Sequence, residues 1–387
     1  MHAGGASVLT SVTELAPAAG EHAAIAPARY SIGKQGAYAY ESRYIDGQAQ
    51  RVVIVDGKAS TLNRMEVPLR VAVEEGHETL ARLPHVRVTY GDQSITDLEL
   101  PHRVFDGHVR AGSVGGVPVT QTSAYRALRD CTPANARALL STSPTSVVFG
   151  VWDSTRRSHQ VRFPSTIRGE IIGVLADQDP HAPEPKRGGA RKDDLTPSVK
   201  LEPGDLQTLL DAQKDELSPR LVEEIEKNIK KAKKGERLSG SPLGLGAIPP
   251  SLETLGLVSC RRIIRSHVLS FATLRQLRFD SSAEGNAACR ALLAALALNG
   301  MARADAELHL RANCDLIEVA PSTVLLDQRY GSTLSLAPLD IPTADALLAD
   351  SLAAAEQFGV DWSGQVFEVT GNPSIMGGAL ADTDEQE

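Results

Sequence analysis

The sequence predicts an α+β fold in which helices cover one face of a sheet. Strand-like and helix-like segments follow each other in the order β–α–β near the start of the chain and again near its end. One long segment rich in proline, glycine and charged residues separates the two runs. With 42% apolar side chains in 387 residues, the chain is large enough to bury a substantial core.

The first half of the chain contains the clearest hairpin and helix signals. Asp46-Gly47 is a favourable turn between two strand-like runs, and Leu62, Met65 and Leu69 recur on one helical face directly after the second run. The predicted elements of this half are strands at 37–44, 50–55, 86–90, 94–97, 147–152, 160–163 and 168–175, with helices at 59–75 and 133–141.

The second half begins with a segment of different composition. Residues 177–250 start as a flexible insertion and contain a helix at 219–234, where Leu221, Ile225 and Ile229 recur every four residues. The elements predicted after it are a β-rich stretch at 260–279, strands at 307–310, 315–319 and 323–326, and helices at 285–299 and 343–357. The predicted regions are a poorly ordered N-terminal segment (1–29), two parts of one folded domain (30–176 and 251–340), the insertion between them (177–250), and a C-terminal helix with an acidic tail (341–387).

The formal net charge of −8 is unevenly distributed along the chain. Residues 323–387 contain one basic and eleven acidic side chains, so the remainder of the chain carries a small positive charge. The overall charge therefore does not exclude a nucleic-acid partner. Arginine supplies most of the basic groups outside the insertion, and its guanidinium suits bidentate contacts with phosphate.

Membrane proteins and disulfide-bonded proteins are not indicated. No run of 18 apolar residues is present, and the first residues lack the basic start and apolar run of a secretory signal. The four cysteines are far apart, which predicts reduced thiols rather than a disulfide framework or a metal site. We therefore expect a cytoplasmic protein without a membrane partner.

Motifs for phosphate-binding loops, zinc proteases and serine hydrolases are absent from the sequence, so we expect no cofactor and no catalytic residue. The densest titratable cluster is His102, Asp106 and His108, whose side chains are of the types that hold a divalent metal. Metal-dependent hydrolysis of RNA or DNA by these residues is the alternative hypothesis. A small-molecule enzyme of α+β type is a weaker one, because no cofactor motif supports it.

Several groups of basic side chains suit contact with a nucleic-acid backbone. One group lies at the start of the predicted helix 59–75, where main-chain N–H groups and basic side chains can meet a phosphate. Because only 4% of the side chains are aromatic, we expect a grip on the sugar–phosphate backbone rather than extensive base stacking. The groups are Lys58, Ser60, Asn63 and Arg64; His102, Arg103 and Arg110; Arg156 and Arg157 after Trp152; and Arg261, Arg262 and Arg265.

Several blocks of the sequence resemble one known family, in the same order. They are ESRYIDGQAQRVVIVDGKASTLNRME, LELPHRVFDGHVR, SVVFGVWDSTRR with STIRGEIIGV, GLGAIPPS, and RRIIRSHVLSFATLRQLRF with CRALLAALAL. Together, over roughly residues 30–320, they resemble the backbone RAMP subunit of type I-G (formerly I-U) CRISPR Cascade.

The resemblance implies an RRM-like (ferredoxin-like) palm with inserted finger and thumb elements, the insertion 177–250 being a thumb or inter-subunit element. It implies that copies of the subunit polymerise along one CRISPR RNA (crRNA) and present its spacer for pairing with a target DNA strand. The implied partners are crRNA, further copies of the chain, and the large subunit and the fused capping and processing subunit of Cascade. Type I backbone subunits are not nucleases, so the resemblance implies a protein without catalytic activity.

The family's motifs also imply particular contacts with crRNA. The implied residues are Lys58, Ser60, Asn63, Arg64, His102, Arg103, Arg110, Arg156, Arg157 and Arg168. One departure concerns the start of the helix, where Ser60-Thr61-Leu62 stands in place of the Gln-Ser-like polar pair that the family often has.

Overall fold

The computed structural model describes residues 4–33, 35–153, 155, 162–187, 197–246, 252 and 254–376. The chain forms two compact units. Of the described residues, the first unit contains those from 4 to 182 and from 257 to 375, and the second contains those from 183 to 256 together with Met376. The range of the second unit therefore overlaps most of the insertion predicted at 177–250.

Both units contain strands and helices. The described strands are β1 (Val8–Pro17), β2 (Arg29–Ile32), β3 (Gln35–Tyr38), β4 (Tyr40–Ile45), β5 (Gln48–Asp56), β6 (His85–Tyr90), β7 (Gln93–Thr96), β8 (Ser113–Val114), β9 (Val117–Pro118), β10 (Val151–Trp152), β11 (Arg162–Phe163), β12 (Ile167–Leu175), β13 (Lys186–Arg187), β14 (Lys200–Leu201), β15 (Leu238–Ser239), β16 (Thr254–Leu255), β17 (Cys260–Ser270), β18 (Leu316–Glu318), β19 (Thr323–Asp327), β20 (Thr333–Leu336) and β21 (Val366–Thr370). The described helices are α1 (Lys58–Glu74), α2 (Gly107–Arg110), α3 (Ser123–Arg129), α4 (Arg137–Thr142), α5 (Pro144–Val148), α6 (Pro203–Gln213), α7 (Pro219–Lys231), α8 (Phe271–Leu274), α9 (Ala283–Ala306) and α10 (Ile341–Glu356).

The main sheet joins strands from both ends of the first unit. Its order is β20–β19–β1–β17–β12–β5–β4, β18 also pairs with β1, and these pairings are antiparallel. In the chain, α1 lies between β1 and β12, and α9 lies between β17 and β19. The core is therefore a β–α–β–β–α–β unit whose first and third strands are central in the sheet. This is the RRM-like arrangement, and it confirms the predicted α+β fold class.

Strand β1 corrects the expectation that residues 1–29 are poorly ordered. It lies inside the main sheet, between β17 and β19. The residues that it buries are Leu9, Ser11, Thr13, Leu15 and Pro17. Because two of these five are small and polar, the sequence lacks the apolar alternation that predicts a strand.

Helices α1 and α9 pack against each other and against the main sheet. Met65 and Leu69 of α1 lie beside Gly300 of α9, where an added Cβ atom would be 3.1 Å from Leu69 Cδ1. This small residue therefore allows the two helices to approach closely. The predicted burial of α9 on nearly all sides is confirmed, since α10 packs along it and Arg303 of α9 donates to Asp345 of α10 at 2.7 Å.

Several predictions of individual strands and helices are wrong. The sequence predicts a buried strand at 147–152, but α5 ends at Val148 and only Val151–Trp152 is extended. A short buried apolar run does not distinguish a strand from a helix, and Pro144 in the first turn favours the helix. The helix predicted at 133–141 begins only at Arg137, and the sequence analysis missed α3 and α6.

The C-terminal region contributes to a second sheet of order β7–β6–β21–β8–β9. Strand β21 runs parallel to β6, although the sequence predicts only a polar, acidic tail after the last helix. Val369 is the buried residue of β21, so the apolar signal for this strand is weak. The acidic region thus takes part in the fold of the first unit.

The second unit has a small core of its own. Helices α6 and α7 pack together through Leu206, Leu210, Val222 and Ile225. The helix predicted at 219–234 is confirmed as α7, and the Ser218 side chain caps its first turn. In the part of the chain that the structure describes, no helix has the length and apolar character needed to cross a membrane.

Candidate nucleic-acid interface

A cleft of about 530 Å³ opens in the first unit at the start of α1. Its walls are the first turn of α1, the loop at 101–103, the β10–β11 hairpin and the beginning of β12. Four of the predicted contact residues line it with exposed side chains, namely Lys58, Asn63, His102 and Arg168. Segments that are far apart in the chain therefore meet at one place.

The N-terminus of α1 contributes main-chain donors to this cleft. Gly57 is the N-cap, and among the described residues no side chain caps the first turn, which also contains no acidic residue. The first N–H groups of a helix have no acceptor within it and carry partial positive charge. Lys58 and Asn63 lie beside them, so this end of the helix is a favourable place for an anionic group such as a phosphate.

The β10–β11 hairpin presents an exposed indole to the cleft. Val151 pairs with Phe163, and both of these side chains are buried in the core. Because side chains alternate along a strand, the neighbouring pair, Trp152 and Arg162, faces the opposite way. Trp152 is 49% exposed, and the guanidinium carbon of Arg162 lies 5.4 Å from the centre of its ring.

Gly150 sets the direction in which the hairpin leaves α5. Its φ is +85°, and an added Cβ atom would lie only 2.7 Å from the main-chain nitrogen of Ser165. The Gly150 carbonyl accepts a 2.6 Å hydrogen bond from Nη1 of Arg103, and Ser165 Oγ donates to the Phe149 carbonyl at 2.9 Å. The segment before the hairpin is therefore held by Arg103 of the loop at 101–103 and by Ser165, which follows β11.

Arg103 lies at the floor of the cleft with its guanidinium buried. It pairs with the Glu66 carboxylate of α1, with 2.9 Å between Nη2 and Oε2. Burial raises the pKa of Glu66, and the positive charge of Arg103 opposes that rise. The pair joins the loop at 101–103 to α1 and, through Gly150, to the hairpin. We therefore assign Arg103 a structural role in place of the predicted RNA contact.

The electrostatic character of the cleft is positive. Lys58, Arg162 and Arg168 line it, and none of the described lining residues is Asp or Glu. Because no described lining residue carries a carboxylate, the lining of the cleft does not neutralise the charge of these three side chains. An anionic polymer that entered would meet three cations and the N-terminus of a helix.

Ser60 and Arg64 point to Asp56 rather than into the cleft. Asp56 is fully buried at the end of β5, and it accepts hydrogen bonds from Ser60 Oγ at 2.8 Å, Arg64 Nε at 3.0 Å and Arg311 Nη2 at 3.2 Å. Arg64 also donates to the Leu310 carbonyl at 3.2 Å. These contacts fasten the start of α1 to the segment before β18. We therefore assign Ser60 and Arg64 a structural role as well.

Arg110 lies near the far end of the β10–β11 hairpin. Its Nη1 is 3.4 Å from Oδ1 of Asp153, and it also contacts the Thr155 hydroxyl. Arg156 and Arg157, which the sequence analysis proposed as contacts, lie outside the described residues.

The arginines of β17 lie away from the described lining of the cleft. Arg261 contacts the side chain of Gln50, and Arg262 forms ion pairs of 3.1 Å with both Glu14 and an aspartate of the β4–β5 turn. Arg265 is only 2% exposed, and its Nε lies 3.3 Å from a carboxylate oxygen of Asp305. Burial and pairing of this kind favour a structural role for Arg262 and Arg265 over the predicted RNA contacts.

The side chains of the alternative hypothesis, His102, Asp106 and His108, do not form a described metal cluster. Asp106 caps α2, with Oδ1 accepting from the N–H of His108 at 3.0 Å and Oδ2 from the N–H of His102 at 3.1 Å. Nδ1 of His108 lies 2.8 Å from the Tyr90 hydroxyl. Among the described residues, no group of three His, Cys, Asp or Glu side chains is placed to hold a metal ion. The alternative hydrolase hypothesis therefore has no support from this site.

Two residues of the cleft were missed as contacts by the sequence analysis, Trp152 and Arg162. Each lies in a strand of only two residues, so the alternation with buried Val151 and Phe163 is too short to read as a strand pattern. The signal that remains is one tryptophan at the end of an apolar run, directly before a charged segment. Its exposure follows only from the hairpin pairing.

Comparison with known proteins gives one family match. Residues 9–178, a little under half of the chain, match the family described as CRISPR-associated protein GSU0053 (Cas_GSU0053). The matched region runs from β1 to the end of β12 and contains all the residues that line the cleft. No curated protein matches the chain. The family match supports the predicted association with CRISPR defence, whereas the role of a type I-G backbone subunit goes beyond it.

Proposed function

We propose that this chain is the crRNA-binding backbone subunit of a type I-G Cascade. Several copies polymerise along one crRNA, and each holds a stretch of its sugar–phosphate backbone in the cleft at the start of α1. The filament presents the spacer for pairing with a target DNA strand. The subunit itself has no catalytic activity, and the large subunit and the fused capping and processing subunit complete the complex.

The observation that carries this proposal is the absence of carboxylates from a cleft that contains three cations. Lys58, Arg162 and Arg168 are in reach of one ligand at an uncapped helix N-terminus, and none of the described lining residues is acidic. A backbone subunit must accept every spacer sequence. Contacts with phosphates provide affinity without sequence preference, and base pairing then reads the target.

The RRM-like sheet and the family match both support the same proposal. The matched segment includes the whole cleft, so the features that would hold RNA lie in the region similar to a CRISPR-associated family. The acidic C-terminal region contributes α10 and β21 to the first unit rather than residues to the described lining of the cleft. The negative net charge of the chain is therefore compatible with a local site for RNA.

The proposal is tested by expressing the chain with its neighbouring subunits and a CRISPR array, and by extracting the nucleic acid that co-purifies. We expect a discrete band, of repeat-plus-spacer length, that RNase removes and DNase leaves intact. A Lys58→Ala/Arg168→Ala variant should recover much less RNA, whereas Arg262→Ala should recover the wild-type amount because Arg262 is engaged by two carboxylates. Complexes that assemble without RNA, or with equal RNA in the double variant, would contradict the proposal.

A further inference from the structure

The cleft combines its cations with one exposed aromatic ring. The chain has two tryptophans, and they lie in opposite environments. Trp362 is 1% exposed and its Nε1–H donates to the Leu140 carbonyl at 3.0 Å, whereas Trp152 is 49% exposed in the cleft. An indole that remains half-exposed on a protein surface forgoes much of the free energy that its burial would provide. Its surroundings therefore indicate a ligand with an apolar, planar part.

We propose that Trp152 is a stacking platform for one nucleobase of the RNA whose backbone lies in this cleft. This inference rests on the proposed function and adds base stacking to it. A base that stacks on the open surface of the indole would extend the existing contact between Trp152 and Arg162. The phosphates on either side of that base would then be next to the cations of the cleft.

The local structure holds this platform rigidly before any ligand binds. On the opposite face of the hairpin, Val151 and Phe163 are 4% and 2% exposed, so they anchor both strands in the core. The Arg103 guanidinium donates to the Gly150 carbonyl directly before β10, and that guanidinium is fixed in turn by Glu66. Little conformational freedom remains to be lost when a base stacks.

Stacking is compatible with a subunit that accepts every spacer, because every base has a π-face. It differs from the grip on phosphates in one measurable way, since it requires a base at the platform. An RNA whose central nucleotides lack bases keeps its charge and its backbone but cannot stack. A protein partner would also explain an exposed tryptophan, but the acid-free, cationic lining favours RNA.

The test compares a single-stranded RNA of mixed sequence with an abasic RNA of the same length, on the purified full-length chain. Tryptophan fluorescence distinguishes the two indoles, because the emission of Trp362 comes from the core and that of Trp152 from the solvent-exposed cleft. We expect the mixed-sequence RNA to quench the emission of Trp152, and W152F to remove this quenching. We expect the abasic RNA to bind without comparable quenching.

The affinities of Trp152 variants for the two RNAs then distinguish a loss of stacking from a general loss of structure. W152A should weaken binding of the mixed-sequence RNA by roughly five- to a hundredfold and of the abasic RNA by less than about twofold, while W152F should retain most of the affinity. Thermal unfolding of W152A should match that of the wild type. An equal effect of W152A on both RNAs, or no effect on either, would overturn the stacking proposal. If neither RNA binds the wild-type chain, the proposed function fails and the stacking proposal fails with it.

Discussion

The cleft and strand β17 both contain several basic side chains, but their surroundings are opposite. In the cleft, Lys58, Arg162 and Arg168 have no described carboxylate among the lining residues. On β17, Arg262 is paired with Glu14 and with the β4–β5 turn, and Arg265 is buried beside Asp305. Basic side chains therefore occur in this molecule both with and without a carboxylate beside them.

From this difference we infer that the positions of carboxylates predict a surface for an anionic ligand better than the density of arginine does. Arg103 is the clearest example, because it lines the cleft but its charge is neutralised by the buried carboxylate of Glu66. An arginine with a buried acidic partner stabilises the fold, whereas an arginine without one is available to an anion. Substitutions in the two classes should therefore have separable effects on stability and on RNA binding.

The largest expected effect is the loss of unfolding free energy when a paired arginine is substituted. Arg103→Met should lower the free energy of unfolding by about 3–5 kcal/mol, because it leaves the Glu66 carboxylate buried without its partner. Denaturant unfolding followed by circular dichroism measures this change. As a control, Arg87→Met removes an exposed ion pair with Glu368 and should cost about 1 kcal/mol or less. Equal losses in the two variants would remove the distinction between the classes.

The next largest effect is the loss of RNA affinity when the cations of the cleft are substituted. Lys58→Ala/Arg168→Ala should weaken single-stranded RNA binding about thirtyfold, taking about 1 kcal/mol for each lost contact, with little change in unfolding. Three phosphate contacts predict a slope of log K against log[salt] of about −2, and the double variant should reduce it to about −0.7. Fluorescence anisotropy over a salt series measures both quantities.

The control for that measurement is Arg262→Ala, which removes a cation of β17 that is already paired. Its affinity should stay within about twofold of the wild type, and its salt slope should not change. If Arg262→Ala lost as much RNA affinity as the double variant, the RNA would bind on β17 instead of in the cleft.

A third kind of buried acidic group has no ion pair among the described residues and has a raised pKa. Asp97 is fully buried, accepts hydrogen bonds from the Val86 N–H and the Ser143 hydroxyl, and has no ion-pair partner among the described residues. Burial raises its pKa to about 7. The folded state therefore holds this proton more tightly than the unfolded state, whose pKa is about 3.9.

The pH dependence follows from that difference. Below about pH 4 both states are protonated and the contribution of Asp97 is fully present; between about pH 4 and 7 it is lost with a slope of at most about 1.4 kcal/mol per pH unit. Asp97→Asn should remove this slope from the unfolding free energy measured over the same range. An unfolding free energy that changes equally with pH in the wild type and the variant would show that Asp97 is not the group responsible.

The smallest expected effect is the loss of unfolding free energy when Asp106, the acidic residue of the alternative metal-site hypothesis, is substituted. Asp106→Ala removes the N-cap of α2 and should lower the unfolding free energy by about 1 kcal/mol. Because Asp106 caps a helix, neither the wild type nor the variant should cleave a labelled RNA in the presence of Mg²⁺ or Mn²⁺. Metal-dependent cleavage by the wild type that Asp106→Ala abolishes would revive the hydrolase hypothesis.

The sequence predicts the fold class and much of the cleft because these depend on strong local signals. The turn at Asp46-Gly47 and the apolar face of α1 identify β4, β5 and α1, all of which the structure confirms. Lys58 and Asn63 were proposed because a basic, polar helix start suits phosphate, and both line the cleft. The family resemblance contributed Arg168, which no local pattern singles out.

The remaining features depend on tertiary contacts that leave little trace in the sequence. The burial of Ser11 and Thr13 in β1 hides a central strand among polar residues. The partners of Arg103 and Arg265 are distant in the chain, at Glu66 and Asp305, so the sequence alone does not separate paired arginines from available ones. Exposure of an indole likewise follows from the pairing of two very short strands.

Cross-linking of the assembled complex determines whether RNA lies in the cleft. The complex that co-purifies with its RNA is irradiated, digested and analysed by mass spectrometry to find the peptides that carry nucleotides. We predict cross-links on the described peptides that line the cleft, at 58–63, 101–103, 149–152 and 162–168, and none on β17. Cross-links concentrated on residues 260–270, with the cleft peptides unmodified, would contradict the account.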